Sequence, residues 1–407
     1  MKLFIEDLAG SDGSGLKGKR VITRVDFNVP LKDGRVESDK RLRESLPTIR
    51  FLIKSGARAV LMSHLGRPKG VTDSLRLAPV AKALSQLLSQ DVKTVPDCVG
   101  PEAEKAVAAL KDGEVLLLEN LRFHPEEEAN YPGFAKQLAA LADIYVNDAF
   151  GTAHRAHAST EGITHFVSRS ACGYLMKKEL DFLGAALDQP KRPFVSIIGG
   201  AKISGKIDVI EALLPKVDKL IIGGGMAYTF LKAMGLEIGK SLVENDKVDL
   251  AKSLLDRAGR PGSQAGDKIQ LPVDYMVTGS FDFKGRKVGP LKAVDQSGIP
   301  ADMESVDIGP KSGQLFASII TGAKTVVWNG PMGVFERDPF AAGTLGMARA
   351  VSECGGFSVV GGGDTVAAVH QAAVASRIGY ISTAGGAFLE FLEGRVLPGV
   401  AALSDAA

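Results

Sequence analysis

The stretch Gly355-Gly-Phe-Ser-Val-Val-Gly-Gly-Gly-Asp-Thr-Val-Ala-Ala-Val-His370 narrows the folds open to this chain more than any other. Phe357 to Val360 is short, apolar and partly β-branched, which predicts a buried strand. Gly361, Gly362 and Gly363 let the backbone turn sharply and approach a ligand with no Cβ in the way. From Asp364 on, the alanine-rich sequence predicts a helix. Strand, glycine turn and helix start together present free N–H groups and a positive dipole end, which suits a phosphate. Asp364 adds the hard oxygen that a phosphate-bound Mg²⁺ requires. The same residues also suit an ordinary turn with Asp364 as N-cap, because such turns recur in every doubly wound sheet.

A chain of 407 residues exceeds one hydrophobic core, so two domains of roughly 200 residues each are expected. A net charge of +2 argues against a whole-chain electrostatic partner, and no nucleic acid is expected. Locally the balance differs: Arg20 to Arg76 holds thirteen Lys/Arg against six Asp/Glu, which fits an anionic partner or a solvated basic face. Cys98, Cys172 and Cys354 are isolated, with no disulfide framework or zinc spacing, as in a reducing cytosol. Met1 to Leu8 carries acids and lacks an apolar segment, so no signal peptide is expected. No run approaches the roughly 20 apolar residues of a membrane span. These features predict a soluble, cytoplasmic protein.

Gly13-Ser-Gly15-Leu-Lys-Gly18 matches G-x-G-x-x-G but leads into a strand instead of a helix, so it reads as a loop. The strand from Arg20 alternates apolar and polar residues and ends at Pro30, placing Asp26 and Asn28 at its carboxyl end, the edge where open α/β sheets bind ligands. A helix follows from near Asp39, with Arg41 in its first turn and a kink or restart expected at Pro47. Leu42, Leu46, Ile49 and Leu52 to Ile53 form its buried face. Ala59–Met62, Glu114–Leu118 and Ile144–Val146 repeat the strand pattern, and Leu77–Gln90 is a helix. The four strands deliver Asp26 and Asn28, then His64 and Arg67, then Arg122, then Arg155 with His154 and His157. Any one such residue in a loop is more often structural. Several cations on one edge suit a small anionic substrate, since guanidinium forks match phosphate and carboxylate oxygens. His154-x-x-His157 lacks a third nearby ligand, so a metal pair there is a weak reading.

Cys172–Leu187 predicts one continuous helix, and Gln189 to Pro193 breaks it, so the helix reads as the connector between domains. The second half opens on a strand and then Gly200-x4-Gly205-Lys206, a P-loop up to Ile207, which stands where the Mg²⁺-binding hydroxyl belongs. Lys202 and Lys206, one helical turn apart, suit a nucleotide's phosphates or two solvated lysines. Leu220 to Leu231 is a second strand, triple-glycine and helix unit. Asp267–Asp274 reads as a strand into a loop, and Thr325 to Glu336 as a strand ending in a Gly/Pro turn with Asn329 and the only Trp. The fold expected is α/β, with two doubly wound parallel-sheet, Rossmann-like domains joined by a hinge helix.

A cationic pocket in one half and a glycine-lined, Lys- and Asp-bearing site in the other point to phosphoryl transfer between a nucleotide and an anionic small molecule. An ionised acceptor such as a carboxylate would need no general base, only electrostatic positioning. A nicotinamide dehydrogenase would need a G-x-G-x-x-G placed after a strand, and none is found. A noncatalytic nucleotide-regulated binding module would keep the glycine turns but need neither Lys202 nor the arginine ring.

The segments Arg24 to Pro30, Ser63 to Pro68, Glu119 to His124, Val146 to His157, Gly199 to Lys202, Gly223 to Met226, Trp328 to Pro331 and Gly361 to Thr365 resemble, in order, the phosphoglycerate kinase family. The resemblance implies a glycolytic enzyme that transfers a phosphoryl group reversibly from 1,3-bisphosphoglycerate to Mg-ADP, giving 3-phosphoglycerate and ATP. It implies a triose-binding domain over residues 1–171, a connecting helix over 172–188 and a nucleotide-binding domain over 189–393, with the tail 394–407 packing back on the first, in a monomer. It assigns Asp26, Asn28, Arg41, His64, Arg67, Arg122 and Arg155 to the triose, with Arg41 facing the transferred phosphoryl. It assigns Gly200, Lys202, Lys206, Gly223, Gly224, Gly225, Asn329, Pro331, Glu336, Gly361, Gly362, Gly363, Asp364 and Thr365 to the nucleotide, and Asp364 to Mg²⁺. Arg41, Lys202 and Lys206 are the residues implied for catalysis. The sequence departs from the family at Ser382-Thr-Ala-Gly-Gly386, where Ala384 replaces a glycine.

Overall fold

Segments that are apolar along their whole length, without alternation, become central parallel strands, because helices cover both faces of such sheets. The computed structural model describes residues 2–10, 14–259, 267–280 and 289–406. The chain divides into two compact units, Met1–Asp181 with Val396–Ala407, and Phe182–Arg395.

The first unit is built on β1 (Arg20–Val25), β2 (Arg58–Met62), β3 (Val92–Thr94), β4 (Val115–Leu117), β5 (Ile144–Asp148) and β6 (Ser170–Cys172). They lie in the order β3-β4-β2-β1-β5-β6, all parallel. Thr23 pairs with Leu61 on one side and Val146 on the other, so the strand order reverses between β1 and β5. That reversal opens the crevice in which α/β sheets bind ligands. The sequence predicts four of these strands; Val92–Thr94 and Ser170–Cys172 lack the apolar run that marks the equally short β4. Ser14–Leu16 is a short 3₁₀ turn before β1, while Gly13 and Met1 lie outside the described residues.

The Lys40–Lys54 helix runs through Pro47 without the predicted restart. Its buried face of Leu42, Leu46, Ile49 and Leu52 packs in the first unit's core and holds it in one piece. The predicted Leu77–Gln90 helix spans Ala78–Leu88 and stops where Ser89 turns left-handed at φ 54°. The connecting helix begins at Tyr174, two residues later than predicted, because Cys172 belongs to β6. Buried Asp148 accepts the Leu175 N–H at 2.8 Å and the Met176 N–H at 3.3 Å, so a carboxylate from β5 caps this helix. Burial pushes the Asp148 pKa up to about 7. A Cβ on Gly173 would stand 2.3 Å from Asp148 Oδ1, which explains the glycine. The chain passes between units within this helix, at Asp181–Phe182. At the other terminus, Asn147 Nδ2 donates to Gly399 O at 3.1 Å and Leu3 N to Ser404 O at 2.8 Å, fixing the tail in the first unit.

The second unit carries β7 (Phe194–Ile198), β8 (Lys219–Ile222), β9 (Ile269–Gln270), β10 (Asp274–Thr278), β11 (Lys292–Asp295), β12 (Glu304–Ile308), β13 (Thr325–Asn329), β14 (Phe357–Gly361) and β15 (Tyr380–Ile381). A parallel sheet in the order β9-β8-β7-β13-β14-β15 reverses between β7 and β13. Asp267–Asp274, predicted as a strand into a loop, holds the short β9 and then a loop through Pro272, which cannot donate to a ladder; Asp274 already opens β10 in a second sheet. A small antiparallel sheet, β11-β10-β12, was not expected from the sequence. Phe316, Ile320, Trp328 and Val351 share the main core of this unit, and Trp328 Nε1 reaches Gly330 O at 2.8 Å. Among the described residues, no helix is long and apolar enough to cross a membrane.

Candidate active site

At the carboxyl ends of β1, β2, β4 and β5 the first unit gathers its cations. Asp26 accepts a 2.6 Å hydrogen bond from Arg41 Nη1, and Asn28 Oδ1 accepts the Gly66 N–H at 2.9 Å, tying the loops after β1 and β2 together. His64 is buried, and Arg24 Nη2 donates to its Nδ1 at 2.9 Å. An arginine can only donate, so Nδ1 is the acceptor and the proton sits on Nε2. Burial first, then Arg24, Arg122 and Arg41, pushes the His64 pKa far down and keeps the ring neutral. His157 is lowered to about 4 by burial first, then by Arg24, Arg122 and Arg155.

Arg122 is nearly buried, donates from Nη1 to Gly66 O at 2.8 Å and faces Glu128 at 3.2 Å. Among the described residues its Nε is buried with no partner, and burial lowers its pKa. An unpaired buried guanidinium N–H is costly, and an anion's oxygen would satisfy it. Arg67 and Arg155 are exposed; Arg155 Nε contacts His154 Nε2 at 3.1 Å.

Beneath these loops lies a network that sequence reasoning missed. Arg24 Nε donates to Ser159 Oγ at 2.9 Å, and Ser159 donates from Oγ and N to the two oxygens of Glu127 at 2.6 and 2.9 Å. Glu127 is fully buried, and burial raises its pKa against the pull of Arg24 and Ser159. This chain fixes the guanidinium that orients His64.

In the second unit the loops after β7, β8, β13 and β14 meet backbone to backbone. A Cβ on Gly199 would stand 2.1 Å from Pro331 O, and one on Gly330 (φ 96°) 2.1 Å from Gly199 O. On Gly224 (φ 70°) it would lie 2.6 Å from Gly200 O. No side chain fits these contacts, so the glycines are required by approach as well as by φ. Gly223 packs on Met332, and its N–H bonds Ile198 O at 3.0 Å. Asn329 donates to Gly361 O at 2.8 Å, and Thr365 Oγ1 accepts the Gly330 N–H at 2.7 Å, joining the turns after β13 and β14.

These turns border a cavity of about 370 Å³. Gly200, Gly224 and Gly225 line one side, Tyr228, Leu242, Val306 and Val334 give it apolar surface, and Pro331, Glu336 and Asp364 also line it. Apolar walls with a few polar groups are typical of a small-molecule site. The Gly363–Gln371 helix has Gly362 (φ 93°) as its N-cap, so Asp364 sits in the first turn and is not the cap itself.

The two lysines differ from expectation. Residues 201–206 form turns and the helix starts at Ile207, so Lys202 and Lys206 do not share a helical face. Glu244 holds the turn by accepting from Ser204 N at 3.0 Å and Ser204 Oγ at 2.6 Å. Lys202 is exposed, whereas Lys206 is half-buried and donates to Asn329 Oδ1. Burial lowers the Lys206 pKa to about 8, against the opposing pull of Asp364 and Glu393.

Known proteins resemble the chain along its length. The family model described as phosphoglycerate kinase matches residues 11–395. The phosphoglycerate kinase of Moorella thermoacetica is 58% identical, covering 99% of each chain, and that of Chlorobium phaeobacteroides is 56% identical over 96% of this chain and 97% of its own. Among solved structures, phosphoglycerate kinase from Coxiella burnetii superposes with a TM-score of 0.89 at 39% identity, covering 99% of this chain and 98% of its own. The Pyrococcus horikoshii enzyme gives 0.80 at 34% identity over 98% of both. With buried arginines at one sheet edge and a glycine-lined cavity at the other, the chain belongs to the phosphoglycerate kinase family.

Proposed function

We propose that the cationic loops of the first unit bind the phosphoglycerate, and the glycine cradle of the second binds ADP or ATP. The reaction is that of the family: reversible phosphoryl transfer from 1,3-bisphosphoglycerate to Mg-ADP, giving 3-phosphoglycerate and ATP. The carrying observation is Arg122, buried near Arg24, Arg155 and His64, with its Nε unpaired among the described residues, where a phosphate or carboxylate oxygen would complete its bonding. Asp26 and Asn28 hold the loops, and Asp26 orients Arg41 toward the transferring phosphoryl group. Neutral His64 donates from Nε2 to a substrate oxygen, and exposed Arg67 and Arg155 complete the anion's shell.

In the second unit, Gly200 and Gly223 to Gly225 let phosphates approach the backbone, and the first turn at Gly361 to Thr365 offers N–H groups. Pro331 and Glu336 border the nucleoside end. Asp364 fits Mg²⁺, since it places a hard, exposed carboxylate on the cavity beside Lys206. When bound, Mg²⁺ neutralises charge on the nucleotide's phosphates. Both nucleophiles, a carboxylate one way and an ADP phosphate oxygen the other, are already ionised. Arg41, Lys202 and Lys206 therefore act by charge stabilisation, without a general base. The three cysteines are free thiols, which supports a cytoplasmic location.

Turnover of 3-phosphoglycerate with Mg-ATP, in an assay that consumes the acyl phosphate, tests the reading. Lys202→Ala should lower kcat by about a hundredfold, roughly 3 kcal/mol, with a much smaller change in nucleotide affinity. Near-normal turnover would return Lys202 to the solvent.

Asp364→Asn should raise the Mg²⁺ concentration needed for half-maximal activity; an unchanged Mg²⁺ titration would place the ligand elsewhere.

The pH dependence of nucleotide binding follows from Lys206. Its pKa in the free protein is about 8, and phosphate binding favours the ammonium. ATP affinity should therefore be full below that value and fall by up to about tenfold per pH unit as pH rises through it. Lys206→Arg, charged throughout, should flatten this slope in calorimetric titrations. An equal slope in both proteins would assign the titration to another group.

A further inference from the structure

Asp97 and Cys98 lie between β3 and the Pro101–Ala108 helix, and His124 follows the short helical turn Leu121–Phe123 after β4. One donor atom from each of these three residues lies within 4.8 Å of the others. His124 Nε2 sits 2.6 Å from Asp97 Oδ1, and the Cys98 N–H donates to that same oxygen at 2.6 Å. The His124 ring stacks on Phe134 with centroids 5.1 Å apart, which fixes its plane. Cys98 is fully buried, whereas the side chains of Asp97 and His124 are 48% and 27% exposed. A sulfur therefore forms the floor of a small recess, and an oxygen and a nitrogen form its rim.

We propose that Asp97, Cys98 and His124 form a binding site for a borderline transition-metal dication of the Zn²⁺ class, with a water in the fourth position. Carboxylate, thiolate and imidazole are the ligands zinc takes, and three protein ligands with one open position are a recurrent arrangement. Donors around a four-coordinate zinc stand about 3.3–3.8 Å apart at the usual bond lengths. Reaching that spacing requires the 2.6 Å His124–Asp97 pair to open and the wider donor pairs, at up to 4.8 Å, to close, chiefly by rotation of the more exposed Asp97 side chain.

On binding, the Cys98 thiol releases its proton to solvent, and His124, whose Nε2–H donates to Asp97 in the free protein, gives that proton up and takes the Nδ1–H tautomer by exchange with solvent, which leaves the Nε2 lone pair for the metal. The carboxylate and thiolate then balance the dication's two charges. Without a cation, burial and the Asp97 and Glu127 carboxylates hold the thiol protonated. The sulfur also separates this site from Asp364, since Mg²⁺ takes oxygen ligands. The Cys98-to-His124 interval matches no zinc sequence pattern, so only the fold brings the three together.

Co²⁺ titrated into the full chain tests the site. The expected result is a thiolate-to-cobalt charge-transfer band that saturates at one ion per chain, survives excess Mg²⁺ and is displaced by Zn²⁺. Cys98→Ser should abolish the band, with Cys172 and Cys354 still present. His124→Gln and Asp97→Asn, at half-exposed positions, should each weaken Co²⁺ by at least the roughly tenfold that even an outer-shell change costs. If Cys98→Ser does not fold by circular dichroism, these two variants decide. No band, a band that persists in folded Cys98→Ser, or unchanged affinity in both rim variants would overturn the proposal.

Discussion

The glycine-lined cavity of the second unit depends on the near-contact of bare backbones at the reversal of its sheet. β7 and β13 are adjacent and parallel, so the chain leaving each must diverge around a common point. Gly199 and Gly330 allow the two loops to touch there, and Gly224 brings in the loop after β8. Asn329 and Thr365 then bond across to the turn after β14. A methyl group at any of these glycines would collide with a carbonyl that has no room to move. The cavity, its peptide-lined side and the placement of Lys206 against Asn329 all follow from that approach.

The first unit solves a different problem. Its sheet edge concentrates guanidinium groups, which repel each other and lose hydration where they are buried. Part of the compensation is internal: Glu127 through Ser159 for Arg24, Asp26 for Arg41 and Glu128 for Arg122. The buried Nε of Arg122 has no partner among the described residues, and Arg67 and Arg155 are exposed, the Arg155 side chain touching only the neutral ring of His154 among them. The phosphoglycerate proposed for this site would complete the arrangement. Neutral histidines in the same cluster avoid adding further charge, which their depressed pKa values express.

Much of this was legible in the sequence where a strand, a glycine turn and a helix start follow one another. The strands ending at Met62, Asn329 and Gly361 were readable from apolar runs and the first from alternation, although it stops at Val25 and not at the expected Pro30; the polar residues after them were readable as a sheet edge. Illegible features had no local signature. Glu127 stands inside Glu126-Glu127-Glu128, which reads as a solvated run, yet only the fold buries its middle member completely. Arg24 looks like the polar half of an alternating strand, although both faces of β1 are covered. Lys202 and Lys206 have helical spacing, but the left-handed Gly200 and the Ser204–Glu244 contacts make a turn there instead. The antiparallel sheet was missed because Pro272 and short strands blur its pattern.

The central claim is that each unit carries its own ligand chemistry, an anion site built from cations in one and a phosphate cradle built from glycines in the other. Backbone amide resonances of the full chain, recorded with 3-phosphoglycerate alone and then with Mg-ADP alone, test it most directly. The account predicts that 3-phosphoglycerate shifts amides around Asp26–Asn28, His64–Arg67, Arg122 and Arg155–His157, and that Mg-ADP shifts those around Gly200–Lys206, Gly223–Gly225, Asn329–Pro331 and Gly361–Thr365. Phosphoglycerate perturbing the glycine turns while leaving the arginine loops unmoved would contradict it.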